Sequence, residues 1–161
     1  MNITECPTCG KASNPKSKKG YCTEDMRKAR EAWKKMIADK PTAAERDAKH
    51  QELYVKAQEA GLEAAAAATP TPMVVTDGKT NWYVEGGVCG FAWVRIVPGN
   101  SSFALWLKRT GIASKAYEGG VQVWAGNVGG QSLAIKEAWA RAFAATLTEA
   151  GIQAYSASRM D

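Results

Sequence analysis

Cys6, Cys9 and Cys22 carry the clearest chemistry in this chain. The first two stand in CPTCG at 6–10, and the third in YC at 21–22. Two thiolates three positions apart can grip one metal ion from a tight turn, and Pro7 and Gly10 bend the backbone for it. A structural zinc ion takes four ligands, so a fourth donor is needed. Asp25 lies three residues beyond Cys22 and would complete a second half-site at a helix start, giving the set Cys6, Cys9, Cys22 and Asp25. His50 is the sole histidine and is a second candidate. Cys89, inside an apolar run, is a third. A Cys-x-x-Cys redox centre would need a thioredoxin-like βαβ setting, which the pattern does not offer.

Positive charge gathers beside these cysteines. Residues 1–50 hold 12 Lys/Arg against 7 Asp/Glu, while residues 70–161 hold eight against six. Lys11, Lys16, Lys18 and Lys19 would lie on the loop, and Arg27, Lys28, Arg30, Lys34 and Lys35 on the following helix. At 3.6 residues per turn Arg27, Arg30 and Lys34 share a face. Such a cluster suits phosphate contacts, which give affinity and salt dependence without sequence selectivity. The competing reading is a solvated helix face with i,i+4 pairs such as Arg27–Glu31.

These groups need elements to place them. Residues 1–22 are too polar to fold without a staple. Thr23 can cap a helix over 24–39, with Glu24 and Asp25 at the positive end of its dipole. Met26, Ala29, Trp33, Met36 and Ile37 follow helical spacing. Lys40-Pro41 breaks it, and Thr42 with Glu45 forms a capping box for a second helix to about residue 68. Its apolar stripe is thin and Gly61 weakens it, so it reads as a helical arm that packs on something else. Thr69-Pro70-Thr71-Pro72 stops it and marks the boundary. The expected organisation is a zinc-binding knuckle plus basic helix at 1–40, an arm at 42–68, a linker at 69–72 and an α+β domain at 73–161.

In the last part, 73–76 and 81–84 flank Asp77-Gly78 as a hairpin. Residues 88–97 form a buried strand, 101–109 a short helix ended by Gly111, and 112–118 and 121–125 a second hairpin about Gly119-Gly120. Ser132 caps a helix with Ile135, Trp139, Phe143 and Leu147 at i,i+4 spacing. Gly151 ends it before a strand at 152–158. The order β-α-β-β-α-β predicts a ferredoxin-like, split βαβ sandwich.

Residues 70–161 contain no histidine and few acids, which disfavours triad and two-metal catalysis. The loop at 126–132 joins a strand to a helix N-terminus, where Gly129, Gly130, Gln131 and Ser132, with Lys136 one turn in, could cradle an anion. Phe91, Trp93 and Arg95 share one strand face, and Gln122 and Trp124 another. They would be either a base-stacking platform or, the preferred reading, core against Trp106, Trp139 and Phe143.

Two resemblances bear on origin. GYCTEDMRKAREAW at 20–33 is similar to the knuckle-to-helix step of treble-clef zinc fingers, such as those appended to phage homing endonucleases, where the place of Asp25 is usually Cys or His. CGFAWVRI, YEGGVQVW, the QSxxxKE helix and the YSASRMD ending, over 86–161, resemble uncharacterised tailed-phage proteins. No signal peptide or membrane span is expected. The resulting expectation is a zinc-containing basic phage accessory protein, cytoplasmic in an infected bacterial host, that binds DNA or RNA without catalysis. The alternative is a phage protein that binds and inhibits or redirects a host enzyme, suited by the Trp-rich C-terminal domain.

Overall fold

The structure, a computed structural model, describes residues 5–9, 11 and 22–161. It falls into two compact units, Met1–Ala43 and Ala44–Asp161.

In the first unit, Cys6 N donates to Lys11 O at 2.8 Å, closing the cysteine turn. Helix α1 spans Thr23–Ala38. Its N-cap is Cys22 rather than the expected Thr23: the Cys22 sulfur accepts from Asp25 N at 3.4 Å. Glu24 and Asp25 lie in the first turn, matched to the helix dipole. No residue of α1 is buried, and Met26, Trp33, Met36 and Ile37 are exposed. Apolar packing therefore contributes little to this helix, and its anchor is the cysteine cluster at its N-terminus.

The second unit contains α2 (Ala43–Ala67, from its second residue on), a hairpin of β1 (Met73–Thr76) and β2 (Asn81–Val84), and then β3 (Gly90–Val97), α3 (Ser102–Arg109), β4 (Ser114–Lys115), β5 (Val121–Trp124), α4 (Leu133–Glu149) and β6 (Gln153–Met160). The fold is α+β with two antiparallel sheets: β1-β2, and a four-stranded sheet in the order β4-β5-β3-β6. In β3, burial alternates. Ala92, Val94 and Ile96 face inward onto Phe103 and Leu107 of α3, Trp139, Phe143 and Leu147 of α4, and Ala57 and Ala65 of α2. Each fully buried large side chain here contributes about 1.5–3 kcal/mol.

Helix α2 is part of this core, which differs from the reading of 42–68 as an arm separate from 73–161. Ala57, Gly61 and Ala65 recur every four residues and are its buried positions. Small side chains let the helix axis come close: a Cβ on Gly61 would lie 2.6 Å from Trp139 Cδ1. The Arg109 guanidinium donates to both carboxylate oxygens of Asp47 at 2.7 Å, which ties α2 to α3 as well. Sequence reading counted Gly61 as a weak point, whereas it is the contact. The hairpin keeps its expected bounds. Its turn is held by Asp77 Oδ1, which accepts from Lys79 N (2.9 Å) and Thr80 N (2.7 Å). Those bonds hold the Asp77 carboxyl below its ordinary pKa range. Strand β4 is only two residues long, against an expected 112–118. Among the described residues no helix is long and apolar enough to cross a membrane.

Candidate functional site

The N-terminal donors converge. One ligand atom each from Cys6, Cys9, Cys22 and Asp25 lies within 4.8 Å of the others. Cys6 Sγ donates to Asp25 Oδ2 at 2.8 Å, Cys9 Sγ lies 3.4 Å from the same oxygen, and Cys9 and Cys22 sulfurs are 3.4 Å apart. Tetrahedral coordination with metal–sulfur bonds of about 2.3 Å would set sulfurs roughly 3.8 Å apart, so small shifts admit an ion. Cys6 and Cys22 are 2% and 3% exposed, and Cys9 faces solvent. The cluster could hold a metal ion, and three thiols with one carboxylate form a closed four-donor set.

The electrostatics fit proton sharing within the cluster. The Cys9 thiol gains from the Lys11 backbone amide, which favours its thiolate. Hydrogen bonding to Cys22, desolvation and the Cys6 and Asp25 contacts outweigh that and push it up to about 11. Hydrogen bonds from Cys6 and Cys22 hold the Asp25 carboxyl low. For Cys6, desolvation and the Asp25 bond raise the pKa, but backbone hydrogen bonds from Thr8, Cys22 and Cys9 outweigh them, and the net shift is downward. Lys11 Nζ reaches Glu24 at 2.5 Å. That contact, beside the nearby thiols, raises the Lys11 pKa.

The other two fourth-ligand candidates have partners in the second unit. His50 Nε2 is 2.9 Å from Ser102 Oγ, and its ring packs edge-on against Phe103. The Cys89 thiol donates to Gln131 Oε1 at 3.4 Å.

Of the expected phosphate-binding residues, Arg27, Arg30 and Lys34 are exposed on α1, and among the described residues none forms an ion pair. The Arg27–Glu31 pair weighed from sequence is absent, whereas Lys28 pairs with Glu24 at 3.4 Å. Lys16, Lys18 and Lys19 lie outside the described residues.

The glycine loop is knitted into the fold. Gly130 N donates to Asn127 O, Ser132 N to Gly129 O and Leu133 N to Val88 O. Ser132 is buried, and its hydroxyl has no partner among the described residues. Lys136, only 6% exposed, donates from Nζ to Gly90 O at 2.9 Å and sits 5.4 Å from the Phe91 ring centroid. The loop thus ties the start of β3 to the start of α4.

The outer face of the four-stranded sheet corrects the expectation that its aromatics are core. Phe91, Trp93 and Arg95 take the outward phase of β3. Register places Trp93 opposite Trp124, Arg95 opposite Gln122 and Tyr155, and Phe91 opposite Arg159. Directly opposed residues share a face, so these side chains form one surface. Trp93 and Trp124 centroids are 5.0 Å apart, and Phe91 meets Trp124 edge-on at 6.4 Å. Arg159 lies 5.2 Å from the Phe91 centroid and Arg95 5.7 Å from that of Tyr155. Trp124 is 42% and Tyr155 52% exposed. An open groove of about 770 Å³ runs along Trp93, Trp124, Gln122, Lys115, Tyr117 and Arg159. The signal was in the sequence: Arg95 shares a phase with Phe91 and Trp93, and Gln122 with Trp124, so polar groups mark that face as the open one.

No protein-family model matches the chain, and no curated protein or solved structure shows significant similarity to it.

Proposed function

We propose that this is a zinc-containing, non-catalytic nucleic-acid-binding protein of the accessory kind carried by tailed phages, acting in the cytoplasm of an infected bacterium. The phage origin rests on the sequence resemblances alone. One observation carries the binding reading: Arg27, Arg30 and Lys34 line an exposed helix without acidic partners among the described residues. That helix starts on a candidate metal ligand, Cys22. Unpaired guanidinium and ammonium groups on a fixed helix face suit phosphate oxygens. Zinc is the ion best suited to three thiolates and a carboxylate in a closed site, because soft sulfur donors disfavour magnesium and calcium. The ion would fix the N-terminal turn and orient α1, and chemistry at the metal is not needed. The strand order β4-β5-β3-β6 with crossovers through α3 and α4 supports a split βαβ sandwich as the carrier.

The test is binding of the intact protein to labelled single- and double-stranded oligonucleotides at low and near-physiological salt. Affinity should fall steeply with salt, and R27A/R30A/K34A should weaken it and flatten the salt slope. No binding to any oligonucleotide at low salt would end the reading.

A second reading, docking on a host protein, is favoured by the β1-β2 hairpin. Val74, Val75, Trp82 and Tyr83 are all exposed there, on both faces of a two-stranded sheet. Stoichiometric capture of one host protein, insensitive to the α1 changes but lost on W82A/Y83A, would select it.

A further inference from the structure

We infer that the outer face of the four-stranded sheet is a stacking site for single-stranded nucleic acid, about two or three nucleotides wide. The inference rests on the nucleic-acid reading above and assigns it a second, separate surface. Three features converge on one face. First, the rings are clustered and partly open: Trp93 and Trp124 are cross-strand partners at 5.0 Å with their planes tilted by 42°, with Tyr155 half exposed beside them and Tyr117 fully exposed at the groove wall. Second, the cations are interleaved with the rings. Arg159 and Lys115 border the groove, and Arg95 lies over Tyr155. Against these three stands one carboxylate, Glu118, which Arg95 already pairs at 2.9 Å. Third, Gln122 lies two residues before Trp124 on β5, between Arg95 of β3 and Ser114 of β4, able to donate to or accept from a base edge.

The charge and shape select the occupant. The excess of positive charge fits a polyanion. A duplex hides its base faces in its own stack, whereas a single strand can lay bases on exposed rings. Lys115 and Arg159 flank the rings where a backbone would run. Every base has a face that can stack on these rings, so the geometry names the shared chemistry of a single strand and leaves the sugar to experiment.

The test uses the full-length protein with fluorescein-labelled dT12, rU12 and a mixed-sequence 12-bp duplex. Single strands should bind more tightly than the duplex, and the stronger of the dT12 and rU12 arms identifies the sugar. W93A/W124A should lose roughly five- to a hundredfold in single-strand affinity, W93F/W124F should retain most of it, and R159Q should reduce the log–log salt slope by about 0.7. If the alanine variant is poorly folded, the indole N–H resonances of the wild-type protein decide. On adding dT12 or rU12, those of Trp93 and Trp124 should move, and those of the buried Trp106 and Trp139 should not. Oligonucleotide binding that leaves the Trp93 and Trp124 resonances unmoved, or that W93A/W124A does not weaken while R27A/R30A/K34A abolishes it, overturns this inference and keeps the helix α1 reading. No binding at all overturns both.

Discussion

The two compact units solve the stability problem by opposite means. In the N-terminal unit the described buried side chains are Cys6 and Cys22, and α1 buries none. In the C-terminal unit a continuous apolar cluster joins α2, β3, α3, β5 and α4. A short polar segment cannot offset the entropy of ordering its backbone by burial, so four donors around one point must do so. The longer unit has interior enough to leave rings such as Trp124 and Tyr155 exposed on the outer sheet face. The lesson is that chemistry sits where stability allows it. In the first unit the candidate metal ligands are the structure itself, whereas in the second the candidate binding rings stand apart from the core.

The largest test of this contrast is metal removal. A chelator, or C22S, should unfold α1 and release the proposed zinc ion, seen as lost amide protection over 22–38. The thermal transition of Ala44–Asp161 within the same full-length protein should stay in place. Joint melting of both units would break the comparison. A smaller effect is expected from G61A. Alanine is a better helix former than glycine by about 1 kcal/mol, yet its Cβ would meet the buried Trp139 indole at 2.6–2.7 Å. Crowding of a packed core costs about 1–3 kcal/mol, so the C-terminal transition should fall in denaturant titration and zinc content should not change. A gain in stability would show that α2 is loosely held. The smallest effect is the pH response of His50. Burial lowers its pKa, with Arg109 and Arg46 adding and Asp47 opposing. The folded state therefore prefers neutral imidazole. Its contribution is complete above the ordinary value of about 6.5 and is lost as pH falls through the lower folded value. H50Q should flatten that part of the C-terminal unit's stability profile, and an unchanged slope would remove His50 from the account.

Much of this architecture was legible in the chain. The Asp77-Gly78 turn, the Ser101 and Ser132 helix starts, the stripe at Trp139, Phe143 and Leu147, and the convergence of Asp25 with three cysteines all follow from local spacing. Two features are easily misread, for physical reasons. Alternation along 90–97 gives one face of Ala92, Val94 and Ile96 and another of Phe91, Trp93 and Arg95, and ring size points to the second as core although Arg95 marks it as the open one. The helices instead chose Ala92, Val94 and Ile96, because small and branched side chains let α3 and α4 approach the sheet. Helix α2 looked weakly amphipathic because its contact stripe is Ala57, Gly61 and Ala65. Apolarity scales score such a stripe low, although close approach needs it. The cap on α1 was misplaced by one residue because sulfur is a rare cap and Thr23 a common one.

The alternation in β3 also governs how this protein can change over generations. Ala92, Val94 and Ile96 answer to the helices, and Phe91, Trp93 and Arg95 take the outward phase. Point substitutions can therefore rewrite the outer surface while leaving folding alone. A single-residue insertion or deletion within the strand would exchange the two sets, putting a guanidinium and an indole into the core. This strand is thus open to diversification by replacement and closed to diversification by length.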